Sequence, residues 1–121
     1  MSAGSADVSG IGSSTIRVEG VERLHGAEHR LGGDYIEAGS WAVVAAITGG
    51  EIDVAGARPI DMEVASSVLR KMQVECTQDG DVFRVRPSAL VGAGRITTGL
   101  WPGFPSDLVS LVTVLATQAD G

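Results

Sequence analysis

Val74-Glu75-Cys76-Thr77-Gln78-Asp79-Gly80-Asp81-Val82-Phe83-Arg84-Val85 is the stretch that decides the fold. Two short runs, Val74 to Thr77 and Val82 to Val85, flank Gln78-Asp79-Gly80-Asp81, whose Asp-Gly pair favours the positive φ values of a tight hairpin turn. Two antiparallel strands are therefore expected here. Upstream, Arg58-Pro59 precedes a segment in which Met62, Ala65, Val68, Leu69 and Met72 fall at the i, i+3, i+4 spacing of one apolar helical stripe. Before it, Glu51 to Val54 alternates as a strand. Earlier still, Ile36 to Thr48 carries Ile36, Trp41, Val43, Val44 and Ile47 among small residues, a largely buried helix stopped by Gly49-Gly50. Gly32-Gly33-Asp34 breaks the pattern ahead of that helix. Thr15 to Val21 and Ala27 to Leu31 are the remaining expected strands, and from the second of them onward the order is β-α-β-α-β-β.

Residues 1–13 lack periodicity and are rich in Ser, Gly and Ala, a flexible tail by composition. Downstream of the hairpin, Val91-Gly92-Ala93-Gly94 leads to a short strand near Arg95 to Thr97, then to Leu100-Trp101-Pro102-Gly103-Phe104-Pro105-Ser106-Asp107, then to a helix over Leu108 to Ala119. The chain also repeats itself. Ile16-Arg17-Val18 parallels Phe83-Arg84-Val85, and Ala45 to Gly50 falls on Ala116 to Gly121, so a strand-strand-helix motif occurs twice and the second copy stops after its first helix. The fold class is α+β: one complete β-α-β-α-β-β unit with parts of its neighbours.

Composition narrows the functional classes. The 121 residues suit one globular domain, and a net charge of −6 with scattered bases lacks the footprint that a nucleic-acid partner needs. The longest apolar run, Trp41 to Ile47, is too short to cross a membrane. A single cysteine, Cys76, forms no internal disulfide, and the first ten residues have neither a basic nor an apolar leader region, so a soluble, cytoplasmic protein is expected.

Few residues suggest chemistry. His25-Gly26-Ala27-Glu28-His29 matches a zinc-protease pattern, but that pattern works only on a helix, and Gly26 with Gly32-Gly33 argues for strand and turn. No metal is expected. Gly10-x-Gly12 and Gly92-x-Gly94 do not complete a phosphate loop and read as turns. Cys76 has no nearby base to activate it, and Lys71, the only lysine, lies on the polar side of a helix. Phe104-Pro105-Ser106-Asp107 is different. Ser106 or Asp107 can cap the following helix, yet the loop Trp101 to Pro105 is rigid and apolar and would hold one carboxylate at a strand-to-helix junction, where it could accept a proton from a bound hydroxyl.

These residues resemble the UDP-N-acetylglucosamine enolpyruvyl transferases. The matching pieces are Ile16-Arg17-Val18-Glu19-Gly20-Val21-Glu22-Arg23-Leu24, Asp34-Tyr35-Ile36-Glu37-Ala38-Gly39, Ala45-Ala46-Ile47-Thr48-Gly49-Gly50 and Pro102-Gly103-Phe104-Pro105-Ser106-Asp107-Leu108. The resemblance implies repeated β-α-β-α-β-β units of the enolpyruvyl transferase type. It makes residues 14–33 the terminal strands of a preceding unit with the inter-domain crossing, and residues 34–121 a unit plus the start of the next. It implies transfer of the enolpyruvyl group of phosphoenolpyruvate to the 3'-hydroxyl of UDP-N-acetylglucosamine, the first committed step of peptidoglycan synthesis, without a cofactor. Asp107 matches the family acid that contacts the sugar nucleotide and is proposed to deprotonate that hydroxyl, so it is both the catalytic and the substrate-binding candidate. Tyr35 stands where the family commonly has a basic residue, and Val109-Ser110-Leu111 where it has Gln-Ala-Gln. The family's phosphoenolpyruvate-binding Lys-Asn pair, its loop Cys or Asp and most of its phosphate-binding Arg residues have no counterpart, and Cys76 is not that Cys. A middle fragment, inactive without the remainder of its parent chain, is therefore expected. The alternatives are a non-catalytic binding module of the same fold and a relative acting on shikimate phosphate.

Overall fold

A computed structural model describes residues 6–121 of the chain. Those residues divide into two compact units, with the boundary between Leu31 and Gly32.

In the first unit, strands β1 (Asp7–Ser9) and β2 (Arg17–Glu19) pair antiparallel, with Val8 opposite Val18. The turn between them is tied by Ser13, whose hydroxyl donates to the Gly10 carbonyl at 2.7 Å, and by glycines with φ of +77° and +84° at Gly10 and Gly12. The expected tail thus contains a strand in its described part; the rest of that tail, residues 1–5, lies outside the described residues. A cross-strand partner supplies the order that composition alone does not. The strand expected over Ala27 to Leu31 does not form. His25 to Arg30 has no alternating apolar face, Leu24 and Leu31 stay exposed, and so little surface is buried to offset the entropy of ordering. His25 and His29 lie on this irregular segment, not on the helix that a two-histidine metal site would need.

The second unit is built on three helices and one sheet. Helix α1 (Tyr35–Thr48) starts where the Asp34 carboxylate accepts the Ile36 N–H at 2.8 Å. It ends at Gly49, left-handed at φ 65°, with the Gly50 N–H returning to the Ala45 carbonyl at 2.9 Å. Its buried face is small: Ala38, Gly39, Ala42, Val43, Ala45 and Ala46. After β3 (Ile52–Ala55), helix α2 (Pro59–Lys71) opens on a proline and turns Met62, Ala65, Val68 and Leu69 inward, as the stripe predicts.

Strands β4 (Glu75–Asp79) and β5 (Val82–Arg86) form the expected hairpin, and β3 pairs on the other side of β5, giving a fully antiparallel sheet in the order β3-β5-β4. The turn is tighter than Asp-Gly alone suggests. Asp79 pairs with Val82, so the two loop residues are Gly80 and Asp81, with positive φ at Gly80 only, as in a II′ turn. Phe83 and Val85 point into the core while Arg84 and Arg86 project from the other face. Each fully buried large apolar side chain contributes about 1.5–3 kcal/mol, so Phe83, Met62, Met72, Val85 and Leu115 carry much of the stability.

Two downstream expectations change. The strand near Arg95 to Thr97 is absent; only an isolated parallel bridge, Thr98 to Phe104, forms there. The helix expected over Leu108 to Ala119 is a 3-10 turn, Ser106–Leu108, followed by α3 (Val109–Ala116). It stops early because Asp120 is drawn into a bridge: its N–H donates to the Leu90 carbonyl at 3.1 Å and its carbonyl accepts the Gly92 N–H at 2.9 Å. Helices with an antiparallel sheet make the class α+β, as read from the sequence.

Candidate functional site

The corner at Asp107 is assembled from both sides. On the approach, the Gly103 N–H closes a turn onto the Leu100 carbonyl at 2.6 Å, and the Gly99 N–H donates to the Phe104 carbonyl at 3.0 Å. A Cβ at Gly103 would come within 2.8 Å of the Leu100 carbonyl oxygen, so only glycine permits this turn. Phe104 and Leu108 are buried, anchoring the corner three residues before Asp107 and one residue after it. Between them Pro105 holds φ at −70°, which aims the chain into the 3-10 turn.

Asp107 itself is exposed. Neither the 3-10 turn nor α3 has a side-chain cap: their cap residues are Pro105 and Leu108, and no side-chain oxygen accepts from the first N–H groups. Ser106 and Asp107 therefore do not perform the capping role that their position allows. The carboxylate stands on the short 3-10 turn that leads into α3. A largely apolar groove is lined by Ile96, Thr98, Phe104, Val109 and Val112 among others; residues on both sides of Asp107 in sequence face it, while Asp107 is not part of its lining.

The loop before Asp107 rests on α1. Trp101 packs against Tyr35 with ring centroids 5.9 Å apart and planes inclined at 58°, and Leu108 packs over Gly39, where a Cβ would stand 3.2 Å from a Leu108 methyl carbon. Nothing local in the sequence joins Tyr35 to Trp101, which are 66 residues apart. The signal available was the spacing of Tyr35 and Gly39, four residues apart and hence on one face of the helix.

The other candidates fall away from this corner. Cys76 is buried in β4, and burial pushes its thiol up, the reverse of an activated nucleophile. Gly94, at φ 67°, sits at a bend, Gly92 donates its N–H to the Asp120 carbonyl beside a bridge and is not a turn, and Lys71 is exposed at the end of α2. His25 Nδ1 contacts the carbonyl of Gly26 at 2.8 Å, and among the described residues no three His, Cys, Asp or Glu side chains are grouped as a metal site. Several cations are already engaged: Arg58 with Asp61 at 2.6 Å, Arg84 with Asp79 at 2.8 Å, and Arg86 with Asp53 at 2.7 Å. Among the described residues no helix is long and apolar enough to cross a membrane.

The sequence model of the EPSP synthase (3-phosphoshikimate 1-carboxyvinyltransferase) family matches residues 1–121. The chain belongs to that family. Relatives of this EPSP synthase family chain include the UDP-N-acetylglucosamine 1-carboxyvinyltransferase of Koribacter versatilis, 38% identical over 116 residues, covering 96% of the chain and 27% of the relative. Proteins of the same name from Xanthobacter autotrophicus and Mycolicibacterium paratuberculosis are 43% and 40% identical, again over 96% of the chain, with 27% and 28% of their own lengths covered. The chain thus spans little more than a quarter of these relatives. The resemblance drawn from the Pro102 to Leu108 corner and its companion segments is borne out at the level of the family.

Proposed function

We propose that these residues are part of an enolpyruvyl transferase that moves the enolpyruvyl group of phosphoenolpyruvate to the 3'-hydroxyl of UDP-N-acetylglucosamine, the first committed step of peptidoglycan synthesis. Supporting the substrate assignment are the relatives, which carry that sugar nucleotide in their name. Supporting the role of Asp107 is one observation: an exposed carboxylate, free of any capping bond, on a corner pinned by buried Phe104 and Leu108. Asp107 accepts the 3'-hydroxyl proton as the oxygen bonds to C2 of phosphoenolpyruvate and the C2=C3 π pair takes a proton at C3 from a group on the remainder of the parent chain; the tetrahedral adduct then loses a C3 proton and phosphate, which restores the double bond. A positioned general base of this kind contributes about 10²–10⁴-fold in rate.

Phosphate and carboxylate charge on the second substrate need positioned cations. Arg58, Arg84 and Arg86 are paired with Asp61, Asp79 and Asp53, and the Lys-Asn pair that the resemblance assigns to phosphoenolpyruvate has no counterpart among these residues, so we assign the phosphoenolpyruvate side to the remainder of the parent chain. In this reading residues 14–33 carry the inter-domain crossing, which the unit boundary after Leu31 supports, and the reaction is cytoplasmic. The family's own description makes shikimate 3-phosphate the competing acceptor.

The test is phosphate release by the full-length polypeptide containing these residues, with each acceptor in turn. Turnover with UDP-N-acetylglucosamine, reduced about 10²-fold or more in Asp107→Asn, is expected. Turnover with shikimate 3-phosphate alone, or equal rate and affinity in the variant, removes the reading. The 121-residue chain by itself is expected to release no phosphate.

A further inference from the structure

We propose that Tyr35 and Gly39, on one face of α1, are positioning residues for Asp107, Tyr35 by carrying Trp101 at the tip of the preceding loop and Gly39 by leaving space for Leu108. This deepens the reading above, because it assigns what sets the location of the carboxylate in the same site.

Two contacts with α1 flank the exposed carboxylate in sequence. Six residues before Asp107, the Trp101 ring lies on Tyr35 at 5.9 Å, while the adjoining Leu100 is almost fully exposed. The loop tip therefore has an aromatic contact on one side and solvent on the other. One residue after Asp107, Leu108 is buried over Gly39, and its two methyl carbons lie 3.2 and 3.4 Å from where a Cβ would be. Tyr35 and Gly39 are one helical turn apart, so a single rigid element supports both ends of the corner. The Asp34 cap fixes the first turn of that element and with it the direction of the Tyr35 side chain.

The aromatic contact acts through the ring and not the hydroxyl: Tyr35 Oη has no hydrogen bond among the described residues. A tilted pair at this separation has the favourable edge-to-face electrostatics of aromatic contacts. Phenylalanine should therefore replace Tyr35, and alanine should not. At Gly39 the demand is steric. A methyl group there forces Leu108 away by a few tenths of an ångström, and Asp107, its neighbour in the same 3-10 turn, moves with it.

The experiment uses the 121-residue chain for backbone amide NMR spectra and relaxation of Tyr35→Ala, Tyr35→Phe and Gly39→Ala, and the full-length polypeptide with the same substitutions for titration with UDP-N-acetylglucosamine. Expected in Tyr35→Ala are raised mobility over residues 100–107, a displaced Asp107 amide signal and about fivefold weaker binding of the sugar nucleotide. Tyr35→Phe should restore all three. Gly39→Ala should displace the Asp107 and Leu108 signals while leaving Trp101 in place. Met62→Leu, a core change far from the corner in sequence, serves as control and should leave affinity unchanged. Unaltered Asp107 signals and loop mobility in both Tyr35→Ala and Gly39→Ala overturn the proposal. If Tyr35→Ala does not fold, Trp101→Leu reports on the same contact from the loop side. Absence of sugar-nucleotide binding by the unsubstituted full-length polypeptide would count against the functional reading, and the positioning role would then be decided by the backbone signals alone.

Discussion

Asp53 lies on the outer face of the sheet between two guanidinium groups, 2.7 Å from Arg86 Nη2 and 3.3 Å from Arg84 Nε. The Arg86 hydrogen bond, reinforced by the charges of both arginines, holds its carboxyl below the ordinary range despite some opposing desolvation. A carboxyl depressed in the folded state stabilises that state above its unfolded pKa, near 3.8, and the contribution is lost as pH falls through the lower folded value. The melting-temperature difference between the protein and Asp53→Asn should thus be largest at neutral pH and low salt and vanish in acid; a difference that grows below pH 4 would contradict the ion pair as its source. The effect is small because both partners meet solvent. None of this was legible in the sequence, since Asp53 and Arg84 are brought together only by the β3-β5 register. Asp107 was legible for the opposite reason: its proline-bounded corner is local, and the neighbours that hold it, Phe104 and Leu108, are within three residues.

Helix ends show why some elements were read correctly and others were not. Helix α1 closes in a Schellman motif with Gly49 in the left-handed position, and that glycine announces the stop. Helix α2 closes in the same motif: the Val74 N–H returns to the Leu69 carbonyl and the Gln73 N–H to that of Arg70, both at 3.0 Å, but the left-handed residue is Gln73, at φ 59°. A side chain there is strained, so Gln73→Gly should stabilise the protein by about 0.5–1 kcal/mol once the greater freedom of glycine in the unfolded chain is counted. Gly49→Ala should destabilise it by a similar amount. Urea denaturation of both variants checks the pair, and a loss of stability in Gln73→Gly would show that its side chain makes an offsetting contact. The end of α3 was overestimated because its stop has no local signal at all: the bridge from Asp120 to Leu90 and Gly92 joins segments about thirty residues apart.

At the scale of the molecule, the antiparallel hairpin and two apolar-striped helices were enough to fix the class, because periodicity and turn chemistry are local properties. The first unit was harder. Alternation over Thr15 to Val21 points to a strand, which forms as β2, but β1 is three residues long, shows no period and becomes ordered through pairing with β2. The core makes this asymmetry testable. Among the described residues every buried apolar residue lies at Ala38 or beyond, from the small face of α1 through Met62, Met72, Phe83 and Val85 to Leu115, and those partly buried against it begin at Tyr35. Among the described residues the second unit therefore contains every member of the buried cluster that drives cooperative unfolding, and removing residues 1–31 deletes none of them. The truncated chain, residues 32–121, should retain a dispersed amide spectrum and a single unfolding transition within about 5 °C of the parent, a shift corresponding to roughly 1 kcal/mol in a domain of this size. Phe83→Ala in the same truncated chain should cost about 3–5 kcal/mol, since it empties the centre of the middle strand. A truncated chain that is unfolded, or a Phe83→Ala variant that melts with its parent, would mean that the core identified by burial is not the one that sets stability.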